Sequence, residues 1–270
     1  MQLEDKVVVV TGAANGIGRA LARRFHAERA RAVVVADLDY TGAAGLAEEL
    51  NGVRPDSALG LGCNVGIDAE TTGLIERTEQ TFGEIDLFFA NAGVGTGADL
   101  ETSDADWATA WAVNWQAHLF AARRLVPGWL ARGEGYFCST ASAAGLLAQI
   151  GNLPYSVTKH AAVAFAEWLS ITYGGRGVRV SCLCPMGVNT NMLAAADRLG
   201  GGQSNNVVRA TGEVLEPEDV ANVVVEGIGA ERFLLLPHPD VLVHLQRKTS
   251  DADRWLGGMR RLQARMAAGA

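Results

Sequence analysis

The chain has 270 residues, enough for one large α/β domain with a substantial core. Its 49% hydrophobic and 20% charged content is that of a folded globular protein and excludes disordered and collagen-like classes. A net charge of −7 argues against a nucleic-acid binder, which needs a basic surface to displace counterions.

Residues 1–5 are polar and acidic, unlike the basic start and apolar core of a secretory signal, and no apolar run approaches the roughly 20 residues that span a bilayer. The expectation is a cytoplasmic protein with no membrane span. Cys63, Cys138, Cys182 and Cys184 lie in apolar runs without metal-ligand spacing, so they read as small buried hydrophobes and no metal site is expected.

Residues 6–11 are a β-branched run. They lead into Gly12-Ala13-Ala14-Asn15-Gly16-Ile17-Gly18, and then a helix with Ile17, Leu21 and Phe25 four apart. In this strand, glycine turn and helix, the glycines let the backbone approach a pyrophosphate, and free N–H groups at the helix start face its charge. A second strand, 32–37, ends in Asp37, nineteen residues after Gly18. A carboxylate there accepts hydrogen bonds from an adenosine ribose and repels a 2′-phosphate, which favours NAD over NADP. Arg19 is a candidate phosphate contact.

Helices at 41–51 and 68–82 flank a strand ending near Cys63-Asn64-Val65, and residues 85–90 form a fourth strand before Asn91-Ala92-Gly93. Such alternation predicts a parallel sheet covered on both faces, with ligands beyond the carboxyl ends of the strands. Residues 104–132 predict one long helix whose Trp107, Trp111, Trp115 and Leu119 form a core stripe, with a subunit contact as the lesser reading. Asn114 within that stripe either faces water or belongs to an internal hydrogen-bond network.

After a fifth strand at 136–140 comes Ser142, and thirteen residues later Tyr155-Ser156-Val157-Thr158-Lys159. On a helix, residues four apart share a face, so the Tyr155 phenol and the Lys159 ammonium reach one small volume. An unperturbed tyrosine keeps its proton to about pH 10, and a fixed cation beside it is expected to lower that value into the range of acid–base catalysis. Ser142 can hold a substrate oxygen beside the phenol. The intervening loop, 143–154, is small and apolar and predicts a hydrophobic pocket. The helix after Tyr155 is apolar on every side, which predicts burial all round and a second subunit over its outer face.

A sixth strand at 178–184 ends at Pro185-Met186-Gly187-Val188-Asn189-Thr190. The glycine-rich stretch 199–206 reads as a lid over substrate. A helix at 217–228 and a strand at 233–236 follow. In the tail, Ser250 and Asp253 form a capping signal before a short amphipathic helix with Trp255, Met259, Leu262 and Met266 on one stripe.

Together, Thr11-Gly12-x-x-x-Gly16-x-Gly18, Asp37, Asn91-Ala92-Gly93, Asn114, Ser142 and Tyr155-x-x-x-Lys159 resemble the short-chain dehydrogenase/reductase family over residues 5–236. The resemblance implies a single doubly wound parallel sheet of about seven strands with helices on both faces. It also implies one dinucleotide-binding and catalytic domain over 1–270, with 237–270 as its tail. It makes Tyr155 the acid–base residue, Ser142 the group orienting the substrate oxygen, and Lys159 the ligand of the nicotinamide ribose that lowers the tyrosine pKa. Asn114 supports a water relay to Lys159. Cofactor contacts implied by similarity are Gly12, Asn15, Gly16, Ile17, Gly18, Asp37, Asn64, Val65, Asn91, Gly93, Tyr155, Lys159, Val188 and Thr190.

The chain departs from the family at Ala90, where an asparagine is usual, at Asn64, where an aspartate often meets adenine, and at Met186, where glycine is usual. The resulting expectation is an NAD-dependent alcohol dehydrogenase (EC 1.1.1.-) acting on a hydrophobic secondary alcohol or ketone, assembled as a homodimer or homotetramer. The alternatives are an NADPH-dependent biosynthetic ketoreductase, which Asp37 disfavours, and a non-catalytic dinucleotide sensor, which would need neither Ser142, Tyr155 nor Lys159.

Overall fold

The computed structural model describes residues 1–97, 99–198 and 212–268. Four consecutive valines begin strand β1 (Val7–Thr11), and all are fully buried. Their side chains alternate across the pleat. Val7 and Val9 join a core layer on one face of the sheet, and Val8 and Val10 join a separate layer on the other. A strand covered on both faces reads as a continuous apolar run, which is what this sequence supplies.

Around β1 the sheet has seven parallel strands in the order β3-β2-β1-β4-β5-β6-β7. They are β2 (Ala32–Asp37), β3 (Ala58–Gly62), β4 (Leu87–Ala90), β5 (Gly135–Thr140), β6 (Val178–Leu183) and β7 (Leu234–Leu235). On the Val8 face pack α1 (Gly16–Ala27) through Leu21 and Phe25, α2 (Tyr40–Val53) through Leu46 and Leu50, and a later helix, Pro217–Gly229. On the Val9 face lie α3 (Asp68–Phe82) and the helical region that follows β4. Each fully buried Leu or Phe contributes about 1.5–3 kcal/mol of transfer free energy. Strand order reverses between β1 and β4, and a crevice opens beyond their carboxyl ends, where Gly12 and Asn91 sit.

The segment expected as one helix over 104–132 has three parts: α4 (Asp104–Trp111), a π-helical turn (Ala112–Gln116) and α5 (Ala117–Arg132). Widening the helix at 112–116 shifts the facing of α5 relative to α4, although Trp111 and Trp115 still pack with ring centroids 5.1 Å apart. The expected core stripe is accordingly corrected: Trp107, Trp111, Trp115 and Leu119 are only half-buried, and the core is reached by Ala121, Leu125 and Trp129. The Trp129 indole N–H is satisfied by the Ile85 carbonyl at 2.8 Å.

After β5 a single turn, α6 (Ala144–Leu147), precedes the long helix α7 (Leu153–Tyr173). Its inner face, Ala162, Val163, Ala166 and Leu169, is buried, but Val157, Trp168 and Ile171 are exposed in the single chain, so burial all round does not hold for one subunit. Beyond β6 come α8 (Asn191–Arg198), α9 (Pro217–Gly229), α10 (Asp240–Ser250) and α11 (Ala252–Ala267). The expected lid at 199–206 lies outside the described residues.

The tail holds two helices rather than one. Ser250 still belongs to α10, where its hydroxyl donates to the Arg247 carbonyl at 3.1 Å. The cap of α11 is therefore Asp251, whose carboxylate accepts from the Arg254 N–H at 2.9 Å, and not Ser250. No residue of α11 is buried, and Trp255 leans on His244 of α10 with ring centroids 6.0 Å apart. Among the described residues, no helix is long and apolar enough to cross a membrane.

Candidate active site

The first turn of α7 fixes the centre of the site. Asn152 caps it by accepting from the Tyr155 N–H at 3.1 Å, and Pro154 stands where a missing N–H costs nothing. Tyr155 thus enters the site from the helix's first turn, and Lys159 follows one turn later. Lys159 is 2% exposed, its ammonium lies 5.6 Å from the centre of the Tyr155 ring, and it donates to the Thr140 carbonyl at 2.8 Å. Ser142 arrives from the end of β5. Its hydroxyl accepts from the Ala144 N–H at 3.1 Å and lies within hydrogen-bonding reach of the Tyr155 phenol.

The electrostatics correct one expectation. Tyr155 is shifted above its usual value of 10.0, because desolvation outweighs the Ser142 hydrogen bond, with Cys184 adding a smaller upward push. The net direction is upward despite the Lys159 ammonium 5.6 Å from the ring. Desolvation acts on the cation as well and holds Lys159 down at about 8 against the ordinary 10.5. The pair is therefore a neutral phenol beside an ammonium whose charge burial disfavours.

Asn114 sits in the π-helical turn, fully buried. Its amide oxygen accepts from the Val94 N–H at 2.9 Å, and its amide nitrogen donates to the Val94 carbonyl at 3.0 Å and the Thr158 hydroxyl at 3.1 Å. Of the two readings left open for it, the internal network holds. The side chain fastens the loop after β4 to α7 and makes no direct bond to Lys159. Gly93 lies between them, so close that a Cβ there would stand 3.3 Å from both the Asn114 amide oxygen and the Lys159 nitrogen.

Asn91 ties three strands together. Its amide donates to the Thr11 and Gly12 carbonyls at 3.0 and 3.2 Å and accepts from the Thr140 hydroxyl at 3.1 Å. Gly12, at φ +62°, is packed so tightly that a Cβ would come within 2.7 Å of the Ala92 backbone. On the same rim, a Cβ at Gly16 would come within 2.9 Å of the Thr190 side chain, and the Asn191 amide donates to Asn15 at 3.2 Å. The glycine turn, the loop after β4 and the segment after β6 therefore meet at one crevice.

A nicotinamide dinucleotide fits this rim. Among the described residues no side chain caps α1 and its first turn carries no acid, which leaves its N-terminal amides without a side-chain cap there, as a pyrophosphate requires. Ile17 and Gly18 lie in that turn. The Asp37 carboxylate ends β2, half-buried, accepting from Ala14 N–H at 2.9 Å and Asp39 N–H at 3.0 Å. Leu38 beside it is 76% exposed, an apolar surface at the edge where adenine would lie. Asn64 already accepts from the Gly66 N–H at 3.1 Å with its amide oxygen, while Val65 turns into the core. Arg19, the candidate phosphate contact, instead pairs with Glu49 at 3.4 Å.

The expected hydrophobic pocket lining is partly corrected too. Ala143, Ala144 and Gly145 of the 143–154 loop are buried, with Gly145 so close to α7 that a Cβ would meet the Lys159 carbonyl at 2.5 Å. Leu146, Leu147, Met186 and Leu193 remain half-buried, and Met192 is exposed.

Four contributors escaped the sequence reading. Thr158 and Thr140 receive the Asn114 and Lys159 contacts across long separations that leave no local trace. His118, buried, bonds Ser139 at 3.0 Å and is held neutral, down at about 3, mainly by desolvation with a further push from Lys159. Asn152 alone had a local signal, an Asn two residues before a proline at a helix start.

The chain belongs to the short-chain dehydrogenase/reductase family: the family model for short chain dehydrogenases matches residues 6–198. It is accordingly an oxidoreductase that interconverts alcohols and carbonyl compounds with a nicotinamide dinucleotide. It is similar to 1-deoxy-11-beta-hydroxypentalenate dehydrogenase of Streptomyces exfoliatus, with 35% identity over 264 residues covering 94% of this chain and 90% of that one. It is similar also to meso-2,3-butanediol dehydrogenase of Serratia marcescens, with 34% identity over 225 residues covering 83% and 87%. Among solved structures, a short chain dehydrogenase/reductase from Burkholderia phymatum in complex with NAD superposes with a TM-score of 0.85 at 29% identity, covering 94% of this chain and 96% of that one.

Proposed function

We propose that the protein is an NAD-dependent dehydrogenase of hydrophobic secondary alcohols, with Tyr155 as its acid–base residue. The observation that carries this reading is the convergence of Ser142, Tyr155 and Lys159 on one side of the β1/β4 crevice, with Asp37 at its far edge. When bound, the dinucleotide supplies the hydride acceptor and, in its oxidised form, a positive charge near the phenol.

Ser142 holds the substrate oxygen. In the oxidation direction Tyr155, as phenolate, takes the hydroxyl proton while the carbinol carbon loses hydride, and in reduction the phenol returns the proton. Lys159 holds the nicotinamide ribose and passes protons outward. Asn114, whose side chain is held by Val94 and Thr158, supports a water relay to Lys159. Gly12, Asn15, Gly16, Ile17, Gly18, Asp37, Asn64, Val65, Asn91, Gly93, Val188 and Thr190 line the dinucleotide. Asp37 supports NAD over NADP by repelling a 2′-phosphate.

The half-buried Leu146, Leu147, Met186 and Leu193 support an apolar substrate. The exposed Val157, Trp168 and Ile171 of α7, with the half-buried tryptophans of the α4 region, support a homodimer or homotetramer. Four buried, unpaired cysteines fit the reducing cytoplasm.

Incubation with NAD or NADP and a panel of hydrophobic secondary alcohols, followed by nicotinamide absorbance, tests the reading. Turnover is expected with NAD, and Tyr155→Phe is expected to lower it by about three orders of magnitude while NAD binding stays within about twofold. Turnover with NADP alone, or an active Tyr155→Phe enzyme, would overturn it.

A further inference from the structure

His238 lies between β7 and α10, outside every motif named above, and is 6% exposed. Its two ring nitrogens bind main-chain groups distant in sequence. Nδ1 accepts from the Met186 N–H at 3.2 Å, and Nε2 stands 3.1 Å from the Glu213 carbonyl oxygen. An amide N–H can only donate and a carbonyl can only accept, so both bonds require the neutral imidazole with its proton on Nε2.

The two points it joins begin two short runs that pair with each other. Leu215 N–H donates to the Gly187 carbonyl at 3.0 Å, and Asn189 N–H donates to the Leu215 carbonyl at 2.9 Å. Val188 bridges Leu215, and the Asn189 amide donates to the Glu216 carboxylate at 3.0 and 3.1 Å. At the open end of this pair, the Met186 thioether lies over Gly212, where an added Cβ would meet its methyl at 3.4 Å. His238 closes that end. Without it the Met186 amide is left with no partner, and the 186–190 run can slide against 213–216.

We propose that His238 is a positioning residue of the dinucleotide site: by tying Met186 to Glu213 it sets where Val188 and Thr190 stand against the nicotinamide. This rests on the functional reading above, in which Val188 and Thr190 are the nicotinamide contacts. Met186, held by this N–H, carries its side chain over Gly212, where a larger residue would crowd it.

The test compares His238→Ala, His238→Asn and His238→Gln in the full chain, reading NAD Kd by tryptophan fluorescence, KM for NAD, kcat and Tm. His238→Ala is expected to raise Kd and KM for NAD about tenfold while kcat changes by less than about twofold. His238→Asn can place an oxygen where Nδ1 stood and is expected to recover most of that affinity. His238→Gln, which reaches only the Nε2 position, is expected to recover less. Lower Tm in all three with wild-type Kd and KM would overturn the inference and leave His238 a packing residue. If the alanine variant does not fold, equal Kd values for the Asn and Gln variants would overturn it just as directly. A wild-type protein that binds no nicotinamide dinucleotide would remove the functional reading and this inference together, whereas normal wild-type binding and turnover with an unaltered His238→Ala would remove the inference alone.

Discussion

The first turn of α7 and the glycine turn after β1 treat their polar groups in opposite ways. Around α7 the polar side chains are engaged with the protein: buried Asn114 makes three hydrogen bonds, half-buried Asn152 caps the helix, and buried Lys159 rests on the Thr140 carbonyl. At the glycine turn, α1 begins with no side-chain cap and no acid in its first turn. The catalytic corner is thus assembled before any ligand arrives, at the cost of a buried cation, while the glycine turn keeps its donors for a ligand. Preorganisation at the corner removes a reorganisation cost at the moment of reaction, and open donors at the turn let binding supply the affinity.

Lys159→Met breaks the comparison most sharply. Turnover is expected to fall by about two to three orders of magnitude, yet the cofactor-free protein should melt at a temperature equal to or above that of the wild type, since a buried charge with little compensation is removed. The pH dependence carries the same signature. Because the folded-state pKa of Lys159, about 8, lies below the ordinary 10.5, the unfolded chain holds more protons between those values. Wild-type stability should therefore gain a rising contribution as pH climbs from about 8 to 10.5, and Lys159→Met should lack it. Denaturant melts of both proteins across that window check the sign.

Gly16→Val strikes the other region. At φ +52° a branched residue is strained, and its Cβ would come within 2.9 Å of the Thr190 side chain. NAD affinity should fall about tenfold or more by calorimetry, with the Tyr155 and Lys159 geometry unchanged. The smallest effect is expected far from both regions. Asp251→Ala removes the cap of a helix with no buried residue and should loosen α11 by about 1 kcal/mol in hydrogen exchange while leaving turnover at the wild-type level.

What could be read without coordinates follows the same division. The glycine turn, Asp37 and the Tyr155/Lys159 spacing are local patterns whose geometry is set by one strand end or one helical turn, and all were legible. The Trp107, Trp111, Trp115 and Leu119 stripe misled because spacing shows that residues share a face, not that the face meets the core: all four are half-buried, and Trp111 packs on Trp115. Ser250 misled because α10 runs straight to it, so the cap moved one residue on to Asp251. The partners of Asn114 and His238 are fixed by tertiary packing across tens of residues and have no spacing to betray them. The phenol's shift was misjudged for a different reason: the lysine's charge was weighed, but the desolvation of both groups, which only burial reveals, was not.

The most direct test of a preassembled corner holding a neutral phenol is an ultraviolet difference titration of wild type against Tyr155→Phe, without and with saturating NAD. The structure predicts that in the empty protein the Tyr155 phenol ionises only above its ordinary value of 10.0, and that NAD moves the ionisation to lower pH. A Tyr155 signal already ionising well below 10.0 in the empty protein would contradict the account.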